Sequence, residues 1–572
     1  MSSSYWHIKE FDSEKVDEVA KEFKLPYSIA KIMSLRGIID REISSNFFYP
    51  DKSKLHDPYL LKDMDKAVKA IINHRDNGNK LMIFGDYDVD GVSSTAMLSL
   101  FFKSINMDVS YYIPHRDIDG YGLSKRGIDF ANSIGSTLII TCDCGINAFD
   151  QIEYAMGMGI DVIVTDHHKP EEKIPNCIAV INPNREDCSY PFNGLCGAGV
   201  AFKLAFAIAN TISVDLDMVW KYADIVTLGI AADIVPMVDE NRIISYFGLK
   251  QIKEGNNLGI RSLIETSKLQ IDRIGIGQIT FWVTPKINAA GRLGEATRAV
   301  KLLSSNNQVI AMEIAKALDK ENEKRKLITL NMENESLSMI ENDPEFNKKS
   351  GIVLYKENWH SGVIGIVASR IKEIYNKPTV IIGLENKIGK GSCRSISQLD
   401  IVEALNYCSS TLDGYGGHPM AAGLTIKGNN VDEFKKLFES YCGSNLKKSD
   451  LVPTINIDAE IQLSEVNGRM INFLKYLEPY GPKNSKPIFL STNIKVQGMP
   501  KVLGKDQSTL KFKVKQDQSI YEAIGFRMID EYEKLIVGGP IDIAYNISEN
   551  HWNGKTSLQL EIKAIRYSNV KD

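Results

Sequence analysis

Three aspartates at alternate positions follow a short apolar run near residue 85. Asp86, Asp88 and Asp90 lie in the sequence GDYDVDG, directly after the apolar residues 81–84. Carboxylates this close together repel one another unless a cation binds between them. Calcium loops share this spacing but need a glutamate six residues after the glycine, where this chain has Met97. The motif therefore predicts a cation site at the end of a strand, and a solvated turn is the alternative.

Three further motifs place acidic or imidazole groups after apolar runs. They are TCDCGI, TDHH and AADIVP, which contribute Asp143, Asp166, His167, His168 and Asp233. Each aspartate alone could equally be a turn or capping residue, and two cysteines in CxC are a weak indication of a thiolate site. Adjacent histidines beside an aspartate are much rarer, and imidazole either binds a divalent metal or contacts a phosphate oxygen.

The elements around these motifs predict a parallel sheet. Apolar runs end just before each of the first three motifs, and helical patterns follow, such as an amphipathic stretch at 92–103. This alternation is typical of parallel strands with helices on both faces, which bind ligands beyond the carboxyl ends of the strands. Oxygen ligands with imidazole fit Mn²⁺ or Mg²⁺ better than zinc, and two such ions would promote attack of water on a phosphoester.

The rest of the chain predicts additional domains. A charged amphipathic pattern predicts one long helix, a second α/β unit follows it, and alternating runs near the C-terminal end predict the antiparallel strands of a small barrel. We therefore predict an α/β protein with an N-terminal segment packing on the catalytic domain (1–75), a parallel-sheet catalytic domain (76–305), a linking helix (306–343), a second α/β domain (344–450) and a C-terminal β-barrel (451–572).

Composition excludes several classes of protein. The 572 residues are 43% hydrophobic and 24% charged, as expected of a globular protein with about three or four domains. No run approaches the roughly 18 uncharged apolar residues of a membrane helix, and the first residues do not resemble a signal peptide. The eight cysteines contain no CxxC, so we expect a cytoplasmic protein without a disulfide scaffold or membrane attachment. The net charge of −4 does not exclude nucleic acid, because a local basic groove suffices.

The four acidic motifs resemble those of the DHH phosphoesterase superfamily, and the chain is similar above all to its RecJ family of single-strand exonucleases. That similarity covers nearly the whole chain, through LRGI at 35–38, IPHRDIDGYGL at 113–123, PKINAAGRLG at 285–294, WHSGVIGIVASR at 359–370 and GGHPMAAGL at 416–424.

The resemblance implies a set of metal ligands and catalytic groups. Two Mn²⁺ or Mg²⁺ ions would be held by Asp88, Asp90, Asp143, His167 and Asp233. Asp86 and His168 would join Asp143 as catalytic residues, with His168 contacting the scissile phosphate or acting as an acid or base. Asp166 would orient an imidazole without binding metal, as metal-site histidines usually require.

The resemblance also implies residues that hold DNA. Phosphates would contact Arg116 and Arg292 in the catalytic domain, and His360, Ser392, Arg394 and His418 in the DHH-associated domain at 344–450. A pocket for the 5′-terminal phosphate would set the polarity of digestion. The barrel would be an OB-fold, with Tyr480, Lys511, Lys513 and Trp552 as candidate contacts. The loop PYGPKNSKPIF departs from the family by lacking an expected Gly-Asn pair.

The function expected from the resemblance is 5′-to-3′ hydrolysis of single-stranded DNA to nucleoside 5′-monophosphates, in recombination and repair. Family members act beside single-strand-binding protein and helicases, and a monomer is expected. One alternative is a phosphodiesterase acting on oligoribonucleotides or cyclic dinucleotides, although such relatives are typically shorter and lack the barrel. The other is a catalytically inactive DNA-binding scaffold, against which the complete ligand set argues.

Overall fold

The computed structural model describes residues 4–116, 118–293, 295–504, 506–552 and 555–568. The chain divides into two compact units. Unit 1 comprises Met1–Ser44, Lys326–Tyr476 and Lys486–Asp572, and unit 2 comprises Ser45–Arg325 and Leu477–Ser485. The five predicted domain boundaries stay a prediction. The predicted N-terminal segment 1–75 is divided between the two units.

Unit 2 contains a five-stranded parallel sheet with helices on both faces, in the strand order β3-β2-β4-β5-β6. The strands are β2 (Leu81–Gly85), β3 (Val109–Tyr112), β4 (Leu138–Cys142), β5 (Asp161–Thr165) and β6 (Ala179–Ile181). The helices are α4 (Met64–Asp76), α5 (Val89–Ser104), α6 (Lys125–Ser133), α7 (Phe149–Gly157), α8 (Gly197–Thr211), α9 (Asp217–Trp220), α10 (Ala223–Ala232), α11 (Asp239–Glu254), α12 (Leu258–Thr266), α13 (Ile276–Gln278), α14 (Thr284–Leu293) and α15 (Thr297–Leu303).

The residues of β2 alternate between two apolar cores. Leu81 and Ile83 face the core shared with α5, α8 and α10, whereas Met82 and Phe84 face the core shared with α6 and α7. Burial on both faces explains why these strands read as continuous apolar runs. The chain goes from β2 to β3 on one side and returns to β4 on the other. This reversal of strand order creates the crevice in which open α/β sheets bind ligands.

Helix α5 is buried on nearly every side, so the predicted amphipathic pattern at 92–103 is wrong for this element. The helix packs between the sheet and helices α8 and α10. Its small hydroxyl side chains bond to its own backbone: Ser94 donates to the Asp90 carbonyl at 2.7 Å and Thr95 to the Gly91 carbonyl at 2.8 Å. These polar residues can therefore be buried without losing a hydrogen bond.

Unit 1 contains a second sheet and a barrel, as predicted. The sheet has the order β10-β11-β9-β8-β7 and is parallel only between β7 and β8. In the barrel, β14, β15, β16, β18 and β17 close through pairing of β14 with β17, and β16 pairs with β18 in parallel. The strands are β1 (Tyr5–Ile8), β7 (Ile352–Glu357), β8 (Thr379–Glu385), β9 (Ile388–Arg394), β10 (Leu412–His418), β11 (Ala421–Lys427), β12 (Thr454–Ile457), β13 (Ala459–Glu460), β14 (Phe489–Leu503), β15 (Thr509–Gln516), β16 (Ser519–Gly525), β17 (Ile541–Trp552) and β18 (Lys555–Tyr567).

The remaining helices include the predicted long one, and they are α1 (Ser13–Phe23), α2 (Tyr27–Leu35), α3 (Arg41–Phe48), α16 (Gln308–Glu341), α17 (Ile364–Tyr375), α18 (Ile401–Tyr407), α19 (Val431–Asn445), α20 (Gly468–Tyr476) and α21 (Tyr532–Val537). Helix α16 is 34 residues long, and the boundary between the two units falls within it. Among the described residues we find no helix with the length and apolar character that a membrane span requires. All eight cysteines are free thiols.

The first strand of the chain belongs to unit 1, where β1 pairs in parallel with β12. Trp6, on β1, is 7% exposed and packs in an apolar cluster with Ile457 and Leu490. The guanidinium of Arg566 lies 4.5 Å from the Trp6 ring centre and pairs with Asp542 at 3.2 Å. The Trp6 indole therefore packs the N-terminal strand against the barrel.

Replacing Trp6 with alanine should lower the free energy of unfolding of unit 1 by about 3 kcal/mol, because a buried aromatic side chain and its cation–π contact are lost. The urea midpoint of the barrel's tyrosine fluorescence measures this. Tyr5→Ala is the matched control on the same strand. The Tyr5 side chain is 51% exposed, so its removal should change stability by about 0.5 kcal/mol or less. Equal effects of both variants would contradict the proposed packing.

Candidate active site

The carboxyl ends of β2, β4 and β5 carry the predicted acidic residues. Asp86 follows β2, Asp143 follows β4 and Asp166 follows β5, and all three side chains are buried. Parallel strands end at the same edge of a sheet, so the three motifs meet although they are up to 80 residues apart.

Asp90 lies in the first turn of α5, and its carboxylate is fixed by the N-terminus of α8. Its Oδ2 accepts from the backbone N–H of Gly197 at 2.6 Å, and its Oδ1 accepts from that of Ala198 at 2.9 Å. Unpaired N–H groups and the helix dipole favour a negative charge at this position. Glycine at position 229 on α10 is required, because a Cβ there would lie 2.4 Å from Asp90 Oδ1.

His167 occupies the centre of the acidic cluster. Its Nε2 lies 3.1 Å from Asp143 Oδ1, 3.6 Å from Asp233 Oδ2 and 3.8 Å from Asp90 Oδ2. Two overlapping groups of potential ligands result, in which all donor atoms lie within 4.8 Å of one another: Asp90 with His167 and Asp233, and Asp143 with His167 and His168. The structure thus brings five of the predicted site residues together.

Several donor atoms of the cluster have no hydrogen-bond partner among the described residues. They are Asp86 Oδ1, Asp143 Oδ1 and His167 Nε2, all of them buried. A buried polar atom without a partner costs several kcal/mol unless something binds it. Carboxylate oxygens and imidazole nitrogens are a donor set suited to Mn²⁺ or Mg²⁺. The residues present therefore fit a divalent cation.

The electrostatics of the cluster support the same conclusion. Burial, together with the charges of Asp90, Asp88 and Asp233, raises the pKa of Asp143 well above its usual range. Burial and the charge of Asp90 raise the pKa of Asp233 to about 8, and burial and the charge of Asp88 raise that of Asp86. Carboxylates that resist ionisation in each other's presence are stabilised as anions by a bound cation.

Asp88 is placed differently from the other predicted ligands. Its Oδ1 caps α5 by accepting from the backbone N–H groups of Asp90 at 2.9 Å and Gly91 at 3.0 Å. Asp88 is half-buried and belongs to neither of the two ligand groups in the described part of the chain. One carboxylate oxygen therefore holds the helix terminus, and Oδ2 is the oxygen that remains for a cation.

Asp166 holds the second histidine in one orientation. Its Oδ1 accepts from His168 Nδ1 at 2.7 Å and from the backbone N–H of His167 at 2.7 Å, while Oδ2 accepts from the Ile146 N–H at 2.9 Å. Burial opposes the imidazolium, but the hydrogen bond and charge of Asp166 outweigh it and raise the pKa of His168 to about 9. At neutral pH His168 is therefore a cation that donates from both ring nitrogens.

Two tyrosines that we did not predict as site residues lie beside this imidazole. The Tyr121 hydroxyl is 3.2 Å from His168 Nε2 and donates to the Asp143 carbonyl at 3.3 Å. The rings of Tyr121 and Tyr87 meet edge-to-face at 6.3 Å, and the Arg116 guanidinium lies 5.7 Å from the Tyr87 ring centre. An aromatic row therefore leads from Arg116 to His168. Both tyrosines lie within motifs already recognised, GDYDVDG and GYGL, but their orientation could not be read from spacing.

Arg292 is the second predicted cation on this side of the site. The charges of Arg116 and Arg292 both act on the Tyr87 hydroxyl, although burial and the charge of Asp86 prevail and raise its pKa to about 12. Both cations thus lie near the aromatic row.

The backbone is strained at two positions of the site. Asp143 has a φ of 61° and Ile234, directly after Asp233, has a φ of 57°. This left-handed region is unfavourable for aspartate and more so for a β-branched side chain. Strain of this kind persists where the surrounding structure fixes a functional side chain.

Unit 1 contains a second group of predicted residues around Arg394. Its Nε donates to Ser369 Oγ at 3.1 Å, and its Nη1 donates to Ser392 Oγ at 3.0 Å and to the Cys393 carbonyl at 2.8 Å. The guanidinium is largely buried, and burial lowers its pKa. Within the described ranges no carboxylate forms an ion pair with it, so an anion is the partner that this cation lacks.

Two predicted histidines of unit 1 are exposed. His360 lies just before α17, where its Nδ1 accepts from the Gly362 N–H at 3.0 Å, and this leaves Nε2 as the protonated nitrogen. His418 ends the edge strand β10. Arg394 and Ser392 lie at the end of β9, bonded to Ser369 of α17, and His360 lies just before that helix. His418 is opposite Ala421 of β11, which is itself opposite Arg394.

The four residues predicted to contact DNA from the barrel lie in different environments. Lys511 pairs with Glu522 at 3.0 Å and Lys513 is exposed. Tyr480 belongs to the segment Leu477–Ser485 of unit 2 and not to the barrel. The Trp552 side chain lies outside the described part of the chain.

The loop that departs from the family pattern is held by its own side chains. Asn484 Nδ2 donates to the carbonyls of Leu477 at 2.8 Å and Pro479 at 2.9 Å. Arg242 Nη1 donates to the Leu477 carbonyl at 2.9 Å, which ties the loop to α11. The loop is therefore ordered without the expected Gly-Asn pair.

Gly229→Ala should weaken Mn²⁺ binding by about 10- to 100-fold, because the new methyl group displaces the Asp90 carboxylate from its position. Electron paramagnetic resonance titration of free Mn²⁺ measures this without substrate. Gly157→Ala at the end of α7 is the control, since nothing lies within 4 Å of the added Cβ. Wild-type affinity in the folded Gly229→Ala protein would remove Asp90 from the ligand set.

Comparison with known protein families supports these observations. Three family models match the chain: the DHH family N-terminal domain at residues 80–230, the DHHA1 domain at 348–444 and the RecJ OB domain at 457–564.

Relatives named single-stranded-DNA-specific exonuclease RecJ match most of the chain. The Haemophilus influenzae protein is 33% identical, covering 90% of this chain and 92% of that protein. The Bacillus subtilis protein is 32% identical, covering 98% of this chain and 71% of that protein. The crystal structure of RecJ in complex with Mn²⁺ from Thermus thermophilus superposes with a TM-score of 0.84 and 27% identity, covering 99% of this chain and 80% of that one. The chain belongs to the RecJ family of single-stranded-DNA-specific exonucleases.

Proposed function

We propose that this protein is a metal-dependent exonuclease that digests single-stranded DNA from the 5′ end and releases nucleoside 5′-monophosphates. The observation that carries the proposal is the cluster of Asp90, Asp143, His167, His168 and Asp233, in which Asp143 Oδ1 and His167 Nε2 are buried without a hydrogen-bond partner among the described residues. Its relatives are named for the same substrate, and a solved RecJ structure contains Mn²⁺. We place its action in DNA recombination and repair.

The residues of the acidic cluster have different roles in hydrolysis. Two Mn²⁺ or Mg²⁺ ions, held by Asp88, Asp90, Asp143, His167 and Asp233, would supply an activated water and stabilise the leaving oxygen. His168, protonated and oriented by Asp166, donates a hydrogen bond from Nε2 to a phosphate oxygen. Asp86 adds a carboxylate beside the ligands, and its buried Oδ1 accepts no hydrogen bond from the described residues.

The 5′-terminal phosphate binds the Arg394 cluster. Arg394 is a largely buried cation without a carboxylate partner in the described ranges, and Ser392 and Ser369 hold its planar fork in place. His360, at the start of α17, contributes a ring N–H. Binding of a terminal phosphate by a charged fork gives the enzyme its polarity. Arg116, Arg292 and His418 contact other phosphates of the strand.

The barrel argues against a cyclic-dinucleotide phosphodiesterase, and the ligand set argues against an inactive DNA-binding scaffold. A closed RecJ-type OB barrel suits a strand of several nucleotides and has no use in hydrolysis of a cyclic dinucleotide. A scaffold without activity would gain nothing from this cluster of carboxylates, whose mutual repulsion destabilises the fold.

The surroundings of the enzyme are part of the proposal. We place it in the cytoplasm as a monomer, acting on strands supplied by a helicase and coated by single-strand-binding protein. The family resemblance supports these partners, and co-sedimentation with each of them tests the assignment.

Asp143→Ala should reduce release of mononucleotides by about 1,000-fold or more, because several kcal/mol of metal-dependent stabilisation are lost. The assay uses 5′-labelled and 3′-labelled single strands and a blunt duplex, with Mn²⁺ and with chelator. The wild type should release labelled mononucleotide at once from the 5′ end of single strands, only with metal. Binding of the strand by the variant should persist.

Asp150→Ala, an exposed acid on α7 of the same unit, is the control and should keep full activity. Full activity of Asp143→Ala would sink the metal assignment. If the wild type binds single strands but never cleaves them, the protein is a DNA-binding scaffold. If it neither binds nor cleaves them, dinucleotides are the substrates to test next.

Arg394→Ala should raise KM for a 5′-phosphorylated strand by about 10- to 100-fold and leave KM for a 5′-hydroxyl strand unchanged, because a charge-assisted hydrogen bond is lost. Steady-state kinetics on the two substrates measure the preference. Arg370→Ala is the matched control on α17, where Arg370 pairs with Glu333. An unchanged preference for the phosphorylated end would exclude Arg394 from the pocket.

A further inference from the structure

Two adjacent aromatic side chains of unit 2 project into solvent. Phe281 is 75% exposed and Trp282 is 55% exposed. They belong to a π-helical turn, Ile279–Val283, between α13 and α14. Neither ring contacts another aromatic ring within the described part of the chain. Such exposure of two large rings side by side needs a reason, since each would be more stable buried.

The turn that carries the rings is fixed on both sides. Ile279 and Val283 are fully buried, so the turn cannot rotate its aromatic face inward. Thr280 Oγ1 donates to the Ala231 carbonyl at 3.0 Å, and Ser267 Oγ donates to the Trp282 carbonyl at 3.3 Å. The rings are thus held outward before any ligand arrives, which lowers the entropy cost of binding. π-helical turns occur often at functional sites.

The same hydrogen bond places the turn beside the candidate active site. Ala231 lies two residues before Asp233, on the last turn of α10. Ile234, directly after Asp233, is also an exposed apolar residue, at 61%. The aromatic turn is therefore attached to the helix that supplies one of the proposed metal ligands.

This segment of the chain contains no acidic residue. The 21 residues at 274–294 include no aspartate or glutamate, whereas the whole chain has 72 acidic residues in 572. Lys286 is buried and pairs with Asp319 at 2.8 Å, so the segment is distinguished by its missing acidic side chains and not by the charge of Lys286. An apolar surface for a protein partner would not need this exclusion of acidic side chains. Exposed aromatic rings on a segment free of acidic residues are instead suited to binding bases of a single strand by stacking.

We infer that Phe281 and Trp282 form a stacking platform for nucleobases of the bound single strand, an inference that rests on the proposed exonuclease function. Every base has a π-face, so the platform grips the strand without reading its sequence. Its attachment beside Asp233 places it next to the proposed metal ligands. By holding the strand there between cleavages, the platform raises the number of nucleotides removed per encounter.

Trp282→Ala should weaken binding of a 20-nucleotide strand about 5- to 150-fold, as loss of one stacked base implies. Fluorescence anisotropy in the Asp143→Ala background measures binding without cleavage. Trp282→Phe should retain most of the affinity, because its ring still stacks, and Phe281→Ala should behave like Trp282→Ala. Tyr246→Ala on α11 is the matched control, an exposed aromatic residue (42%) of the same unit, and should bind as the parent does.

A second measurement separates stacking from chemistry. With active enzyme, Trp282→Ala should lower the number of nucleotides released per binding event on long strands and leave hydrolysis of a 5′-phosphorylated dinucleotide unchanged. Parent-like affinity and processivity of the Trp282→Ala and Phe281→Ala variants would overturn the platform while the exonuclease assignment stands. A wild type that never digests single strands would instead refute the proposed function itself.

Discussion

The constraint on which the structure depends is the repulsion between carboxylates that are crowded around one imidazole. Asp90, Asp143 and Asp233 all lie within 4 Å of the same His167 nitrogen, and each has its pKa raised by burial and by its acidic neighbours. Among the described residues, His167, His168 and the N-terminus of α8 counter this repulsion. The sheet, the close approach of α8 and α10, and the left-handed backbone at Asp143 all serve to hold these groups together.

The two proposed substrate contacts, the acidic cluster of unit 2 and the Arg394 cluster of unit 1, have opposite charge. In unit 2 an excess of negative charge requires cations before an anionic backbone can approach. In unit 1 a buried guanidinium, held by serine hydroxyls, has no carboxylate beside it in the described ranges and is ready for phosphate. Serines rather than carboxylates position Arg394, and this choice keeps its charge available. A polyanion can therefore be bound by a protein whose net charge is −4.

Much of the fold and of the candidate site could be predicted, because the strands of a parallel sheet are apolar throughout and polar residues at their ends stand out. Asp86, Asp143 and Asp166 were found in this way. The hydrogen-bond partner of Asp90 could not be predicted, because the N-terminus of α8 is 107 residues away and offers only backbone N–H groups. Tyr87 and Tyr121 were not predicted as site residues, because their place beside His168 depends on the orientation of their side chains, which the sequence does not give. In QITFWVTP the apolar run gives no sign that two of its rings face solvent, since exposure is set by the packing of α10 and Ile279.

The pairing of β1 with β12 determines the order in which the units can be completed during synthesis. His7 and Asn456, hydrogen-bonded neighbours in that pair, are 449 positions apart. At ribosomal speed the strand waits about 20 to 90 s for its partner. By then the continuous span 45–325, which carries the acidic cluster, has been made, so most of unit 2 can form first, and its segment Leu477–Ser485 is added later. Until residue 457 emerges, the edge of β1 and the indole of Trp6 are exposed, which makes the nascent chain dependent on protection from aggregation.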